Sequence, residues 1–274
     1  MTRQKFDISI REIVLSFWRN RALVLTLTRR EIAGRYRGSF LGALWSFFNP
    51  VFMLAVYTLV FGNVLKTRWN TTGGSQAEFS LILFVGLMVF NVFADCVNRA
   101  PIMVVTNVNY VKRVVFPLEV LPWVSIGTAL FHMAVSLAVW FIFYVWAVGL
   151  PTLTLLLLPL VLLPLILLTV GISWILMSLG VYMRDIAQVV PIITSMMMFL
   201  SPIFYPVSAL PEKYRTVLLL NPITVIVEQA REVLIWGRQP DWWMLLLYCT
   251  IATGVAWVGF AWFQKTRKGF ADVL

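Results

Sequence analysis

The chain has 274 residues, 60% of them hydrophobic and 12% charged, with a net charge of +10. Soluble domains run to about 45–50% apolar and about 25% charged residues, so this composition excludes a water-soluble globular domain and leaves room for about six membrane spans. A basic excess in a membrane protein reflects Lys and Arg on the cytoplasmic side, so no nucleic-acid partner is expected.

From the N-terminus, Met1–Asp7 is polar, and no short apolar run ending in small residues follows it, so a cleaved signal peptide is not expected. Ile10, Ile13, Val14, Phe17 and Trp18 fall at i, i+3, i+4, i+7 and i+8, with Arg11 and Arg19 off that face. The pattern predicts a basic amphipathic helix lying in the headgroup plane; the alternative is a helix packed on a partner protein. Arg29, Arg30, Arg35 and Arg37 then crowd beside the first span. Gly34, Gly38 and Gly42 recur every four residues, a spacing that permits close helix packing. Arg30 and Arg37 share a face if the helix is continuous. Topology alone would also account for these arginines.

A spanning helix needs roughly 20 mostly apolar residues. The candidates are Gly42–Leu65, Leu81–Val105, Leu118–Val148, Leu153–Val181, Val189–Tyr205 and Trp243–Phe263. The third and fourth exceed one span, and Pro159 and Pro164 make the start of the fourth suspect. Nine Lys and Arg precede the first span; Lys112, Arg113, Arg184, Lys265, Arg267 and Lys268 would lie on the same side. The other side would carry Lys66, Arg68, Lys213, Arg215, Arg231 and Arg238. The bias places both termini in the cytoplasm.

Between spans five and six, Pro206–Asp241 holds two short apolar runs, Val217–Leu220 and Ile223–Ile235, separated by the Asn221–Pro222 turn. Neither can cross a bilayer. They predict re-entrant or interfacial helices on the outer side, with Glu228 and Arg231 able to pair at i, i+3.

Several chemistries are missing. There is no Gly-x-x-x-x-Gly-Lys-Ser/Thr loop, no His-Glu-x-x-His and no Gly-x-Ser-x-Gly, so neither a catalytic site nor an ATP site is expected. The one histidine, His132, cannot build a metal site and is expected to be packed or hydrogen-bonded. Cys96 and Cys249 lie in apolar runs and are expected to be core residues. Asp95 and Arg99, one turn apart, are expected to neutralise each other. So few intramembrane carboxylates argue against ion-driven transport and point to an external energy source. Most tryptophans fit interfacial belts; some aromatics would suit a path for sugars.

Gly38-Ser39-Phe40-Leu41-Gly42-Ala43-Leu44-Trp45-Ser46-Phe47-Phe48-Asn49-Pro50 resembles the start of the first span in ABC-2 type permeases that export polysaccharides. So do Ser201-Pro202-Ile203-Phe204-Tyr205-Pro206, Leu210-Pro211-Glu212-Lys213-Tyr214-Arg215, Asn221-Pro222-Ile223-Thr224 with Glu228 and Arg231, and Arg184-Asp185. Val225 departs from the pattern, where many relatives carry a more polar residue. The resemblance covers almost the whole chain and is closest to O-antigen export permeases; capsule and teichoic-acid permeases share much of it.

The resemblance implies an all-α fold of six transmembrane helices, an N-terminal amphipathic interface helix and short re-entrant outer helices. The expected division is a cytoplasmic and interfacial segment 1–41, a permease domain 42–264 with a periplasmic gate segment 206–241, and a cytoplasmic tail 265–274. The implied assembly is a homodimer with two copies of an ATPase subunit, which binds the ATP and Mg, in the bacterial inner membrane. The implied cargo is a lipid-linked polysaccharide on a polyprenyl diphosphate; a small lipid or drug is a second possibility, and a motorless channel or scaffold a third. Expected coupling residues are Lys112 and Arg113, in the connection Asn107–Pro117, with Arg184 and Asp185. Arg29, Arg30, Arg35 and Arg37 are expected at the lipid diphosphate. Phe204, Tyr205, Asn221, Pro222, Glu228, Arg231 and Trp236 are expected at the gate.

Overall fold

The computed structural model describes residues 8–60, 76–108, 116–207, 211–213, 218 and 221–274, and among these the regular structure is entirely helical. Two short helices open the chain, α1 (Ile10–Arg19) and α2 (Arg21–Arg35). The longer ones are α3 (Trp45–Tyr57), α4 (Gln76–Arg99), α5 (Leu121–Ala147) and α6 (Leu158–Tyr182). They are followed by α7 (Ile186–Leu200), α8 (Pro222–Leu234), α9 (Trp242–Thr266) and a terminal turn α10 (Phe270–Val273). Among the described residues, five stretches are long and apolar enough to cross a membrane: Gly42–Val60, Ala77–Ile102, Leu118–Ala147, Leu153–Tyr182 and Trp242–Gly269. The fifth run of the sequence yields the shorter α7, which starts earlier than expected and stops at Leu200. It stops because Ser201, extended at ψ 148, precedes Pro202, which disfavours helix in the residue before it. In α6, Pro159 occupies the first turn, where a missing N–H leaves no bond unmade, and the helix runs on through Pro164.

Helix α4 forms the centre. In Ala77–Ile102, 89% of the apolar window is buried, against 11% in Gly42–Val60. Its uninterrupted run Leu81–Val85 is apolar all round, as a helix enclosed by others must be. Helices α5, α6, α7 and α8 pack around it. The tightest seam joins α6 to α9. A Cβ on Gly171 would lie 2.7 Å from the Cα of Ala256, and one on Gly259 would lie 2.2 Å from the carbonyl oxygen of Gly171. Such close backbone contact substitutes for a hydrophobic drive that lipid cannot supply. Gly180 likewise lies against the backbone of Pro101.

Polar contacts fix the two ends of the bundle. At one end the buried Glu119 accepts a hydrogen bond from Arg267 Nη1 at 2.7 Å, and its carbonyl accepts one from Trp174 Nε1 at 3.1 Å. Tyr182 donates to the Thr266 carbonyl, and Trp257 Nε1 donates to the Ile8 carbonyl. The N-terminal helices and the C-terminal turn therefore meet at the same end. At the opposite end, Thr154 donates to the Val233 carbonyl.

The amphipathic stripe of α1 divides in two. Ile13 is buried and Phe17 packs on Trp123 with ring centroids 4.8 Å apart. Ile10, Val14 and Trp18 stay exposed, with Arg21 over the Trp18 ring at 4.6 Å. The inward half packs on the chain's own core, a partner the periodicity alone does not identify.

The α6–α9 seam can be tested directly. Gly171→Val is expected to cost about 1–3 kcal/mol through overpacking. Gly254→Ala, whose added Cβ meets nothing within 4 Å, is expected to be neutral or slightly stabilising. Thermal unfolding of the detergent-purified protein, followed by size exclusion, measures both.

Candidate functional site: a polar cavity with a charged rim

Helix α2 ends at Arg35, and the chain turns before the first span rather than entering it as one helix. Gly38 (φ 85°) and Gly42 (φ 52°) take left-handed conformations that other residues avoid. A Cβ on Gly34, Gly38 or Gly42 would meet nothing within 4 Å, so these glycines make no packing contact within the chain, and Arg30 and Arg37 do not lie on one continuous helix. Beyond the turn, α3 leans on α4 and α5 and encloses a cavity of about 430 Å³. Its polar lining includes Asn49 and Tyr57 of α3, Asn91 and Asp95 of α4, and His132 of α5. Trp45 and Phe84 add aromatic surface. The volume lies in the range of about 300–1,000 Å³ common for ligand sites. His132 Nδ1 lies 3.3 Å from the Tyr36 hydroxyl, while its Nε2 is buried without a hydrogen-bond partner. The histidine is hydrogen-bonded as expected, and it also lines the cavity.

Asp95 and Arg99 do not neutralise each other along α4. Arg99 pairs with Glu31 of α2, and Asp95 lies 3.8 Å from Arg35 of α2. The i, i+4 pair on each helix is used across the helix boundary instead, giving two rungs between α2 and α4. Arg35 and Asp95 border the 430 Å³ cavity. Glu31 and Arg99 border a second cavity of about 90 Å³, which Thr106 and Asn107 also line.

The other expected residues are placed as follows. Arg29, Arg30 and Arg37 are exposed. Arg29 edges an apolar cleft between α2 and α5 lined by Leu25, Ile32, Leu130 and Phe131. Lys112 and Arg113 lie outside the described residues, as does most of Val217–Leu220. Arg184 and Asp185 form the exposed turn between α6 and α7. Gly180, just before that turn, touches Pro101, so the turn sits at the end of the bundle from which the Asn107–Pro117 connection departs.

In the segment after α7, Asn221 caps α8 by accepting from the Ile223 N–H at 3.0 Å, and Pro222 fills the first helical position. Arg231 is completely buried. Its Nη1 donates to Glu228 at 2.7 Å and to the Pro202 carbonyl at 2.6 Å, its Nη2 to the Ile203 carbonyl at 2.9 Å, and its Nε to the Ile82 carbonyl at 3.3 Å. The i, i+3 pair expected from the sequence therefore forms, as one part of a larger clamp. Gly86 makes room for it, since a Cβ there would lie 2.9 Å from Nη2. Phe204 stacks on Phe199 at 5.8 Å, Tyr205 donates to the Phe199 carbonyl, and Trp236 is half-buried. Gly86 and the Glu119–Arg267 pair escaped sequence reading. The signal for Glu119 was a lone carboxylate beside an apolar run, which needs a partner that the sequence does not name.

Arg231→Met orphans the Pro202 and Ile203 carbonyls at about 1–3 kcal/mol each, so loss of about 3 kcal/mol or more is expected. Arg231→Lys is expected to rescue little, because an ammonium lacks the planar fork. Folded yield and thermal unfolding in detergent check both.

Residues 22–235 match the family model described as ABC-2 type transporter. The chain is 28% identical over 262 residues to the O-antigen export system permease protein RfbA of Myxococcus xanthus, covering 95% of this chain and 98% of that protein. It is 26% identical over 254 residues to the protein of the same name from Klebsiella pneumoniae, covering 92% and 95%. A further relative is the polysialic acid transport protein KpsM of Escherichia coli, 29% identical over 219 residues, 78% of this chain and 81% of that one. With its helical bundle, its long apolar helices and a family match over most of its length, the chain belongs to the ABC-2 type transporter family.

Proposed function

We propose that the chain is the permease subunit of an ATP-driven exporter of lipid-linked polysaccharide, with O-antigen on a polyprenyl diphosphate as its cargo. The observation that carries this reading is the end-to-end similarity to O-antigen export permeases, which leaves almost no part of either chain unaligned. The polar and aromatic lining of the 430 Å³ cavity suits a glycan, since sugars present hydroxyls for hydrogen bonds and apolar faces for ring contact. Capsular polysaccharide is the second reading, favoured by the similarity to KpsM.

In this reading the chain crosses the bacterial cytoplasmic membrane six times with both termini inside. Helix α7 supplies the crossing that length alone leaves open. It starts four residues after Tyr182, which bonds the C-terminal end of α9, and it leads into the Pro202 and Ile203 carbonyls held by Arg231. Residues 42–264 form the permease domain, residues 1–41 the inner interfacial segment and 265–274 the inner tail. Two permeases pair and bind two ATPase subunits, which supply ATP and Mg. The pairing is supported by the first span, where Phe47, Phe52, Met53 and Val56 of α3 stay exposed in the single chain. Lys112, Arg113, Arg184 and Asp185 contact the ATPase. Arg29, Arg30, Arg35 and Arg37 draw the diphosphate headgroup to the inner surface. At the outer end, residues 206–241 gate the mouth. Asn221, Pro222, Glu228 and Arg231 form its fixed frame, and Phe204, Tyr205 and Trp236 its contact surface.

The test is export in a bacterium deleted for its own permease, with this chain supplied beside its cognate ATPase. Surface O-polysaccharide is expected to return; restoration only of capsule, teichoic acid or a small amphiphile would reassign the cargo, and restoration of none would overturn the reading. ATP hydrolysis is expected from the complex and not from the permease alone. Lys112→Glu with Arg113→Glu is expected to abolish export while leaving membrane insertion intact, and unchanged export would remove that connection from coupling.

A further inference from the structure

The two rungs between α2 and α4 are ion pairs, unlike the packing that holds the first half of α2. The first half of α2 is packed on α5: Val24 and Leu27 cluster with Val120 and Val124. Thr28 is buried against Gly127, where a Cβ would lie 2.8 Å from its hydroxyl, and it donates to the Val124 carbonyl at 3.4 Å. The second half of α2 meets α4 through the pairs Glu31–Arg99 and Arg35–Asp95. The side chains of Arg35, Asp95 and Arg99 are 49%, 44% and 43% exposed, and that of Glu31 is 28% exposed. The Arg35–Asp95 pair, open to water on both sides, is the weaker of the two rungs. Helix α2 is thus packed on α5 along its first half and joined to α4 by ion pairs along its second, with Tyr36 just beyond it bonded to His132.

These charges also have a definite place. The Arg35–Asp95 rung borders the inner end of the 430 Å³ cavity, and the Glu31–Arg99 rung borders the small cavity beside Asn107, where the Asn107–Pro117 connection begins. Each arginine is occupied by one carboxylate. A diphosphate diester carries one negative charge on each phosphorus, the same two charges that Glu31 and Asp95 provide. Guanidinium groups bind phosphate oxygens through a planar fork at least as well as they bind carboxylates.

We propose that this four-charge ladder is a concealed diphosphate site: the anionic end of a lipid-linked substrate takes Arg35 and Arg99 from Asp95 and Glu31, which releases α2 from α4 and opens the inner end of the larger cavity. The site rests on the transport reading above and narrows it, since it selects Arg35 and adds Arg99, while Arg29, Arg30 and Arg37 serve general attraction. The exchange brings two further negative charges to a ladder that is neutral as it stands, so it leaves Asp95 and Glu31 as carboxylates without their arginine partners. It also gives the Asn107–Pro117 connection a neighbour that moves when substrate arrives.

The probe is farnesyl diphosphate, with farnesol as the uncharged control, applied to the detergent-solubilised full chain. Glu31→Gln with Asp95→Asn keeps the side-chain shapes but removes the competing charges, and it is expected to tighten farnesyl diphosphate binding by roughly tenfold, about 1.4 kcal/mol. Arg35→Gln with Arg99→Gln is expected to weaken binding by at least as much. Spin labels at Ala33→Cys and Ile102→Cys, with Cys96 and Cys249 replaced by Ala, are expected to move apart on adding farnesyl diphosphate and to stay in place with farnesol. A merely structural ladder predicts the reverse for the amide variant: unchanged or weaker binding. That result, binding lost only in Arg29→Gln with Arg30→Gln, or no diphosphate-dependent binding to the unaltered chain would each overturn the proposal. The export assay is scored separately, so an intact export phenotype with an unresponsive ladder rejects the site and leaves the transport reading standing.

Discussion

Much of the opposite end of this bundle depends on the Arg231 guanidinium. In a bilayer a backbone carbonyl released from a helix has no water to turn to, and each one left alone costs several kcal/mol in hydrocarbon. The chain breaks at Ser201–Pro202, which frees the Pro202 and Ile203 carbonyls just where α7 ends. Arg231 donates to both, and its Nε reaches α4 at Ile82. Three segments distant in sequence are therefore tied by one side chain whose own charge is matched by Glu228. Helix α8 can then lie inside the bundle although it is too short to span. Gly86 follows from the same constraint, because any side chain there would displace the clamp.

Around that fixed end the protein separates into tightly and loosely held parts. Helices α4, α6, α8 and α9 are joined by buried apolar surface and by glycine-mediated backbone contact. Helices α1, α2 and α3 lie outside them and expose much apolar surface. The polar cavity sits on the boundary, with α4 as its rigid wall and α3 as its lightly buried one. An arrangement of this kind lets one wall move without disturbing the core, since free energies of local opening follow local burial. The charged rim occurs on that boundary, where water still reaches, and the buried Glu119–Arg267 pair occurs where it does not, with side chains 11% and 12% exposed.

Much of the architecture was legible in the sequence because hydropathy reports burial in lipid directly. The second, third, fourth and sixth apolar runs appear as long helices close to the expected limits. That Ile223–Ile235 is too short to span was legible from length, and the pairing of Glu228 with Arg231 from spacing. The α7 terminus was misjudged by five residues although Pro202 was in view, because the apolar run continues past the break while the backbone does not. The spacing of Gly34, Gly38 and Gly42 suggested one continuous helix, which the left-handed turns at Gly38 and Gly42 interrupt.

By itself the sequence determined the apolar solvent of this protein, the order of its apolar segments, the excess of Lys and Arg in its N-terminal segment and the absence of a phosphate-binding loop. Those properties are sums over local composition and are unaffected by which segment touches which. Tertiary structure alone decided the partners of its charges. Asp95 and Arg99 are one turn apart and equally able to pair with each other, yet α2 lies close enough to offer each an opposite charge. Arg231 could have faced water on an outer loop, yet three carbonyls from other segments converge on it. An ion's partner is set by which groups share its desolvated space, and that space exists only after the helices have packed.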